Sequence, residues 1–198
     1  MLAKVFSCAL IGLEGAIVEV EADLNPRSLP SVTLVGLPDA AVKESTERVR
    51  AAIFNSGLTY PRGHLTVNLA PADLRKEGPA YDLPIAAALL ALSGQIPPDQ
   101  DEAIFLGELS LDGSVRHVDG ILPMTYVAKE SGYKAVYVPQ ADAPEAALVE
   151  GIDVYPVDTL ARLATHFRDY HPIEPYRTVF DLDADPPAYA ADFMDIKG

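Results

Sequence analysis

Apolar and polar positions in the first half of the chain predict strands followed by a helix. Two β-rich runs at residues 4–11 and 16–24 flank a glycine-containing tetrapeptide, a pattern typical of a hairpin. A third strand is predicted at residues 31–37. Pro38 then pre-sets the first turn of a helix that Gly57 closes. One face of this helix carries an apolar stripe: Val42, Thr46, Val49 and Ile53.

The second half of the chain interleaves helices with strands. Residues 64–70 are predicted as a strand and residues 83–93 as an apolar helix, with Asp82 as its structural cap. Asp112-Gly113 predicts a hairpin between strands at residues 103–109 and 114–118. The remaining predicted elements are a helix at 120–131, a strand at 135–138, a helix at 144–150, a strand at 152–155 and a helix capped by Asp158 that ends at Phe167. This order predicts an α/β or α+β fold in which a mixed sheet is packed with helices.

The periodic pattern stops after Arg168. Residues 169–198 contain seven acidic and two basic residues, and they include the prolines Pro172, Pro175, Pro186 and Pro187. Such a composition is typical of a linker that lies along a surface or joins a further domain. We therefore divide the chain into a globular domain, residues 1–168, and an acidic, proline-containing linker, residues 169–198.

Composition limits the classes of protein to which the chain can belong. Its 198 residues are 49% hydrophobic and 22% charged, which is enough apolar material for the core of one domain. No apolar run approaches the roughly 18–20 residues that span a membrane, and the N-terminus is a poor signal peptide. The single cysteine, Cys8, forms no internal disulfide and is better explained as a buried structural thiol than as a nucleophile. We expect a cytoplasmic protein without a membrane partner.

The net charge of −14 argues against nonspecific coating of nucleic acid by the whole domain. The charge is uneven, however. Between residues 43 and 77, six basic residues accompany four acidic ones. A local basic face is therefore compatible with the acidic total.

Motifs that would place a cofactor or a catalytic centre are absent from the sequence. It contains no GxxxxGK[ST] phosphate-binding loop and no GxGxxG, HExxH, CxxC or GxSxG motif. The four histidines are scattered without metal-ligand spacing: His64, His117, His166 and His171. We expect no catalytic residue, no cofactor site and no metal site in this chain.

The densest polar segment, residues 68–82, runs from a strand end through a loop to the start of an apolar helix. Arg75 and Lys76 are suited to a phosphate or an acidic partner, and Glu77 or Asp82 to a cation. The alternative is that Asp82 caps the helix and the other charged side chains form a solvated loop. The residues alone leave both interpretations open.

This segment also resembles a known protease family. The run KEGPA at residues 76–80 and the run GELSLDGSV at residues 107–115 resemble two motifs of the proteolytic domain of Lon-type proteases. In that family the motifs carry a Ser-Lys dyad, and the matching positions here hold Ala80 and Leu122. Alanine has no nucleophilic atom and leucine accepts no proton. The resemblance implies a Lon-like fold, also called ribosomal S5 domain 2-like, without the protease chemistry.

A longer resemblance covers residues 2–198. The strings GLPDAAVKES at 36–45 and VNLAPADLRKEGP at 67–79 resemble magnesium-chelatase-like AAA+ ATPases of the ComM (YifB) type. In that family, a sequence like residues 192–198 leads into the ATPase module, so a Walker A loop is expected beyond Gly198.

That resemblance implies a hexameric ATP-driven motor associated with DNA branch migration in natural transformation. ATP and Mg²⁺ are then expected in the parent protein and not in this domain. The implied partners are the chain's own AAA+ module, neighbouring subunits and single-stranded or branched DNA. Three hypotheses follow: a DNA-positioning or assembly module, a purely protein–protein module, and a cryptic hydrolase. The first predicts that DNA or a partner contacts a set of basic residues: Lys43, Arg48, Arg50, Arg75 and Lys76.

Overall fold

A long antiparallel hairpin forms the centre of the sheet. In the computed structural model, which describes residues 2–11 and 14–177, strand β1 is Leu2–Ile11 and strand β2 is Glu14–Asn25. The whole of β1 pairs with β2, from Leu2 opposite Asp23 to Ile11 opposite Glu14. Alternation of apolar side chains over residues 4–11 and 16–24 therefore predicted the hairpin correctly.

Seven strands form one mixed sheet around this hairpin. Strands β3 and β4 are Ser31–Val35 and His64–Ala70; β5 is Asp99–Phe105, and β8 and β9 are Ala135–Pro139 and Asp153–Val157. Their order is β3-β4-β2-β1-β5-β8-β9. Strand β4 runs antiparallel to β2 and parallel to β3, whereas β5, β8 and β9 all run parallel to β1. The predicted α/β fold with a mixed sheet is confirmed.

Helices cover both faces of the sheet. They are α1 Ala40–Asn55, α2 Asp82–Leu92, α3 Ile121–Glu130, α4 Ala143–Ala146 and α5 Leu160–His166. Alternate residues of β1 enter two separate cores: Val5 joins the core beneath α1, α2 and α5, and Cys8 joins the core beneath α3 and α4. Every residue of α2 is buried, because the helix lies between the sheet and α1. None of the helices in the described residues is long and apolar enough to cross a membrane.

Two predicted details of the secondary structure are wrong. The predicted strand at residues 103–109 is split: β5 ends at Phe105, and β6, Glu108–Leu109, pairs instead with β7, Val115–Arg116, in a small separate sheet. The break lies at Gly107, whose N–H donates to the Ala80 carbonyl at 3.1 Å. Asp158 does not cap α5. The neighbouring Thr159 hydroxyl accepts from the Arg162 N–H at 3.2 Å instead.

The packed unit continues beyond residue 168. Ile173 is buried in the core, and its N–H donates to Nδ1 of His166 at 2.9 Å. Tyr176 N–H then donates to the Val154 carbonyl on the outer edge of β9 at 2.7 Å. The first part of the predicted linker is therefore held against the domain. Residues 178–198, the rest of that linker, lie outside the described residues.

His117 links the end of β7 to the residue before α4. Its Nδ1 hydrogen-bonds the carboxylate of Asp142, which is buried and also accepts from the Val118 N–H at 3.1 Å. Its Nε2 lies 3.3 Å from a carboxylate oxygen of Asp119. These carboxylates, Asp142 above all, raise the pKa of His117 above its usual value.

The His117 contact should make stability depend on pH. Because the pKa is raised on folding, the contact stabilises the fold below the unfolded pKa of about 6.5 and loses its effect as the pH rises through the folded pKa. The imidazole is largely exposed, so we expect less than about 1 kcal/mol. Urea titrations of the wild type and His117→Asn at about pH 5.5 and about pH 8.5 should show their difference shrinking at the higher pH. Because His166, whose pKa is lowered by burial, is present in both proteins, its opposite effect cancels. A difference that is constant with pH would contradict the assignment.

Candidate functional site

Lys76, in the loop between β4 and α2, points into the protein. Its side chain is fully buried and its ammonium donates to the carbonyl of Pro71. Its backbone joins the turn before α1: Lys76 N–H donates to the Leu37 carbonyl at 3.2 Å, and Asp39 N–H donates to the Lys76 carbonyl at 3.0 Å. Burial lowers the pKa of the ammonium. The sequence predicted that Lys76 contacts DNA or a partner. In this structure its side chain is enclosed by the protein and does not reach the surface.

Asp82 forms a buried ion pair and does not cap α2. Its two carboxylate oxygens accept from Nε and Nη2 of Arg48 at 2.7 and 3.0 Å, and one also accepts from the Leu109 N–H at 3.1 Å. The residue before the helix is Tyr81, which provides no side-chain cap. The predicted cap is therefore corrected: the carboxylate points across to α1 and β6, because a buried charge needs an opposite charge more than the helix end needs an acceptor.

Arg48 is committed to the same contact. Its Nη2 donates further to the Ala41 carbonyl at 3.1 Å and to the Ser45 hydroxyl at 3.2 Å. With these bonds, the guanidinium is turned toward α2 and not toward solvent. Arg48 therefore links α1 to α2 in this structure, whereas the sequence predicted that it contacts DNA or a partner at the surface.

The other three basic candidates lie at the surface but not in one place. Lys43 and Arg50 are exposed on α1. Arg75 is exposed in the loop before α2 and pairs with the equally exposed Glu77 at 3.1 Å. A surface pair of this kind contributes little to stability, so Arg75 keeps its freedom to turn toward a ligand.

Residues near both dyad positions line a small cavity. Ala80 lies in a short 3-10 turn, Pro79–Tyr81, and Leu122 lies in the first turn of α3. The cavity, referred to here as the Cys8 cavity, has a volume of about 110 Å³. It is lined by Cys8, Ala9, Leu10, Arg75, Glu77, Tyr81, Asp119 and Met124. Neither dyad position offers a nucleophile or a base to this cavity.

The thiol beside this cavity is buried, and we expect it to react slowly in the folded chain. Cys8 is buried, and burial raises the pKa of its thiol to about 12. Because the thiolate is the reactive form, we expect iodoacetamide to label the native chain at about pH 8 at least ~100-fold more slowly than the urea-unfolded chain. A matched control is Ser28→Cys in a Cys8→Ser background, which places a thiol at an exposed position. Equal labelling rates for the native wild type and the native control variant would disprove the assignment.

An exposed groove lies between α1, β3 and the segment that precedes β4. This α1 groove has a volume of about 700 Å³, and its charged lining residues are Glu47, Arg50 and Arg62. Two aromatic rings, Phe54 and Tyr60, stack within it with centroids 5.9 Å apart and planes at 23°. Sequence reasoning identified Arg50 but missed the other members. For Tyr60 and Arg62, the one signal in the sequence was their position on either side of Pro61, just before the strand predicted at residues 64–70.

A second exposed surface, the α3 groove, is mainly apolar. It has a volume of about 560 Å³ and lies between α3 and the segment after α4. Leu122, at the position of the protease lysine, contributes to it together with the exposed side chains of Tyr126 and Leu148. An exposed apolar surface of this kind is typical of a protein contact.

Two features that hold ATP or metal ions in other proteins are missing from the described residues. They contain no glycine-rich phosphate-binding loop. Within residues 2–11 and 14–177, no three His, Cys, Asp or Glu side chains are grouped so that they would hold a metal ion. His166 is engaged by Tyr137 and by the Ile173 backbone.

Comparison with known proteins gives one family and several close relatives. Residues 20–142 match the family model described as subunit ChlI of magnesium chelatase. The whole chain is 46% identical to an uncharacterized protein of Mycobacterium tuberculosis, of which it covers 39%. YifB of Escherichia coli is 41% identical over 87% of this chain and 34% of its own length. The competence protein ComM of Haemophilus influenzae is 42% identical over 80% of this chain and 31% of its own length.

More distant relatives connect the chain to Lon proteases. The archaeal Lon protease of Thermococcus kodakarensis is 28% identical over 80% of this chain and 26% of its own length. This likeness and the mixed sheet confirm the Lon-like fold predicted from the two motifs. The chain spans only about 39% of the length of the mycobacterial relatives that it matches.

Proposed function

Because the chain belongs to the magnesium-chelatase ChlI-like family, which includes YifB and ComM, we propose that it is the non-catalytic N-terminal domain of a ComM-type AAA+ motor that acts on DNA. In this proposal the parent is a cytoplasmic hexamer that binds ATP and Mg²⁺ in its ATPase module. The domain contacts that module and neighbouring subunits, and it positions single-stranded or branched DNA. The name of the H. influenzae relative, competence protein, supports a role in natural transformation.

The observation that carries the proposal is the state of the Lon-like site. Ala80 and Leu122 stand where the protease has its dyad, and two charged residues near Ala80 in the chain, Lys76 and Asp82, are buried and hydrogen-bonded within the protein. A site whose buried charged groups are used to hold the fold supports binding or assembly better than catalysis.

The parent protein with and without this domain tests the proposal. We expect the parent to form nucleotide-dependent hexamers, to hydrolyse ATP faster with DNA, and to move branched DNA substrates. Removing residues 1–177 should leave the basal ATP hydrolysis of the motor and greatly reduce DNA movement. If DNA changes neither the rate of ATP hydrolysis nor the assembly of the parent, the DNA-motor function is contradicted.

A second candidate function, a purely protein–protein module, is favoured by the α3 groove. In that case Tyr126→Glu and Leu148→Glu should weaken hexamer formation in sedimentation velocity, while Arg50→Glu should leave both assembly and DNA movement unchanged. Loss of DNA movement in Arg50→Glu with intact hexamers would favour the DNA-positioning role instead.

The cryptic-hydrolase hypothesis has one feature in its favour. The Ser31 hydroxyl lies 2.7 Å from Nδ1 of His64 on the neighbouring strand. The other ring nitrogen faces the Thr66 hydroxyl at 3.3 Å and not a carboxylate, so the imidazole lacks the orienting group of a triad. A fluorophosphonate probe should therefore leave the chain unlabelled; labelling that Ser31→Ala abolishes would revive the hydrolase.

A further inference from the structure

We propose that the α1 groove is the surface on which a single nucleic-acid strand binds, with phosphates on Arg50 and Arg62 and a base stacked on Phe54. This inference rests on the proposed function and assigns a place to its DNA contact. It moves that contact away from the Arg75-Lys76 loop, where Lys76 is enclosed.

The two arginines of the groove are unneutralised in a chain of net charge −14. Several other basic side chains have a carboxylate partner: Arg48 pairs with the buried Asp82, and three pairs lie nearer the surface, Arg75–Glu77, Lys4–Glu19 and Lys134–Glu102. Neither Arg50 nor Arg62 has an ion pair with a carboxylate in the part of the chain that the structure describes. Arginine in this state suits the phosphodiester backbone, which supplies charge and paired oxygens. Glu47 in the same groove limits the positive charge to a local lining and disfavours broad coating.

The aromatic pair provides a flat platform in the same groove as these charges. Phe54 on α1 is 57% exposed, and its ring stacks on the ring of Tyr60. Burial raises the pKa of the Tyr60 hydroxyl, so the supporting ring stays neutral. Stacking on such a ring accepts any base, because each base has a π-face. An exposed aromatic ring beside free arginines is therefore suited to one unpaired strand.

The wall that carries Tyr60 and Arg62 is held in place before any ligand binds. The buried amide of Gln95 accepts from the Thr59 N–H at 2.9 Å and donates to the Thr59 carbonyl at 2.8 Å. At the other end, Ser31 N–H donates to the Gly63 carbonyl at 3.3 Å. Because both ends are anchored, little ordering cost is expected when a strand binds.

The competing occupant is an acidic extended peptide. Strand β3 pairs with β4 on one side, and the described residues place no strand on its other side. A peptide could add to that edge with its acidic side chains near Arg50 and Arg62. The exposed Phe54 ring gives such a peptide no specific gain, whereas it stacks with a base; the nucleic-acid strand is therefore favoured.

Fluorescence anisotropy with labelled dT20 and U20 tests the proposal on the full 198-residue chain. Contact with two phosphates predicts a slope of log K against log salt of about −1.4, and Arg50→Gln or Arg62→Gln should each reduce it by about 0.7. Phe54→Ala should weaken binding by about 5- to 150-fold. Lys43→Gln and Arg75→Gln are matched controls that remove one exposed charge outside the groove and should change binding much less. Comparison of dT20 with U20 shows whether DNA or RNA is preferred.

Three outcomes would overturn the proposal: no binding to dT20 or U20 by the chain or by the parent hexamer, equal losses in groove and control variants, or displacement of the strand by a hexa-glutamate peptide at equal charge. Circular dichroism of each variant confirms that it is folded. The same variants in the parent protein test the groove and the motor function separately. DNA-stimulated ATP hydrolysis that survives Arg50→Gln/Arg62→Gln/Phe54→Ala leaves the motor function intact and rejects the groove; a parent that never responds to DNA rejects the function itself.

Discussion

Replacing Asp82 with alanine is expected to lower the free energy of unfolding by about 3–5 kcal/mol, because removing one partner of a buried pair leaves the other charge uncompensated. Asp82 is fully buried, and its carboxylate joins Arg48 on α1 to the Leu109 N–H on β6. Its loss therefore affects three elements at once. Urea titration followed by circular dichroism measures the change. For a domain whose total stability is about 5–15 kcal/mol, this is a large fraction.

A matched control lies on the same guanidinium. Glu44 also faces Arg48, at 3.7 Å, but its side chain is 75% exposed. Glu44→Ala should cost less than about 0.5 kcal/mol. The double variant Arg48→Met/Asp82→Leu should recover much of the loss, because it removes the buried carboxylate together with its partly buried partner. Equal effects of Glu44→Ala and Asp82→Ala would show that the burial of Asp82 does not determine its contribution.

The second large effect is expected at Gly36, in the turn between β3 and α1. Its φ of +99° is a conformation that side chains rarely adopt, and a Cβ there would lie 2.1 Å from the Leu69 carbonyl oxygen. Gly36→Ala should destabilise the chain by about 2–6 kcal/mol, since strain and overpacking each cost about 1–3 kcal/mol. Because β3 and β4 must separate, the Lys76 carbonyl bond to Asp39 should weaken as well. Thermal and urea unfolding measure the first effect, and amide exchange at Asp39 measures the second.

Gly57 provides the comparison for Gly36. It also has a positive φ, +69°, but a Cβ there would meet nothing within 4 Å. Gly57→Ala should therefore cost only the conformational strain, about 1–2 kcal/mol. If both variants lose the same stability, the close approach to Leu69 contributes nothing to the effect at Gly36.

Part of the candidate site was predictable because it depends on residue identity. Alanine at position 80 and leucine at position 122 exclude the protease dyad whatever the fold. Their neighbours were not predictable in the same way. A solvated loop at Lys76 and a helix cap at Asp82 are what local rules predict, since charged residues beside glycine and proline are usually exposed. Their partners, the Pro71 carbonyl and Arg48, become evident only when the loop folds over α1.

Most residues of the α1 groove were also not predictable from the sequence. Arg50 was identified from local charge, but Arg62, Phe54 and Tyr60 lie on a helix and a connecting segment with no shared sequence pattern. Stacking of Phe54 on Tyr60 depends on where the segment before β4 returns to α1, and Gln95 from beyond α2 anchors that segment. No short-range signal encodes such a meeting.

The strands and helices follow from local rules that sequence expresses directly. Alternation over residues 4–11 and 16–24 has the period of a strand, and the wholly apolar run after Asp82 demands a buried helix. Sheet order, the burial of Lys76 and the Arg48–Asp82 pair were decided by tertiary structure. The physical reason is that hydrophobic periodicity is a property of a few neighbouring residues, so it determines only local secondary structure. The choice of partner for a polar group depends on residues dozens of positions away that only the completed sheet brings into contact.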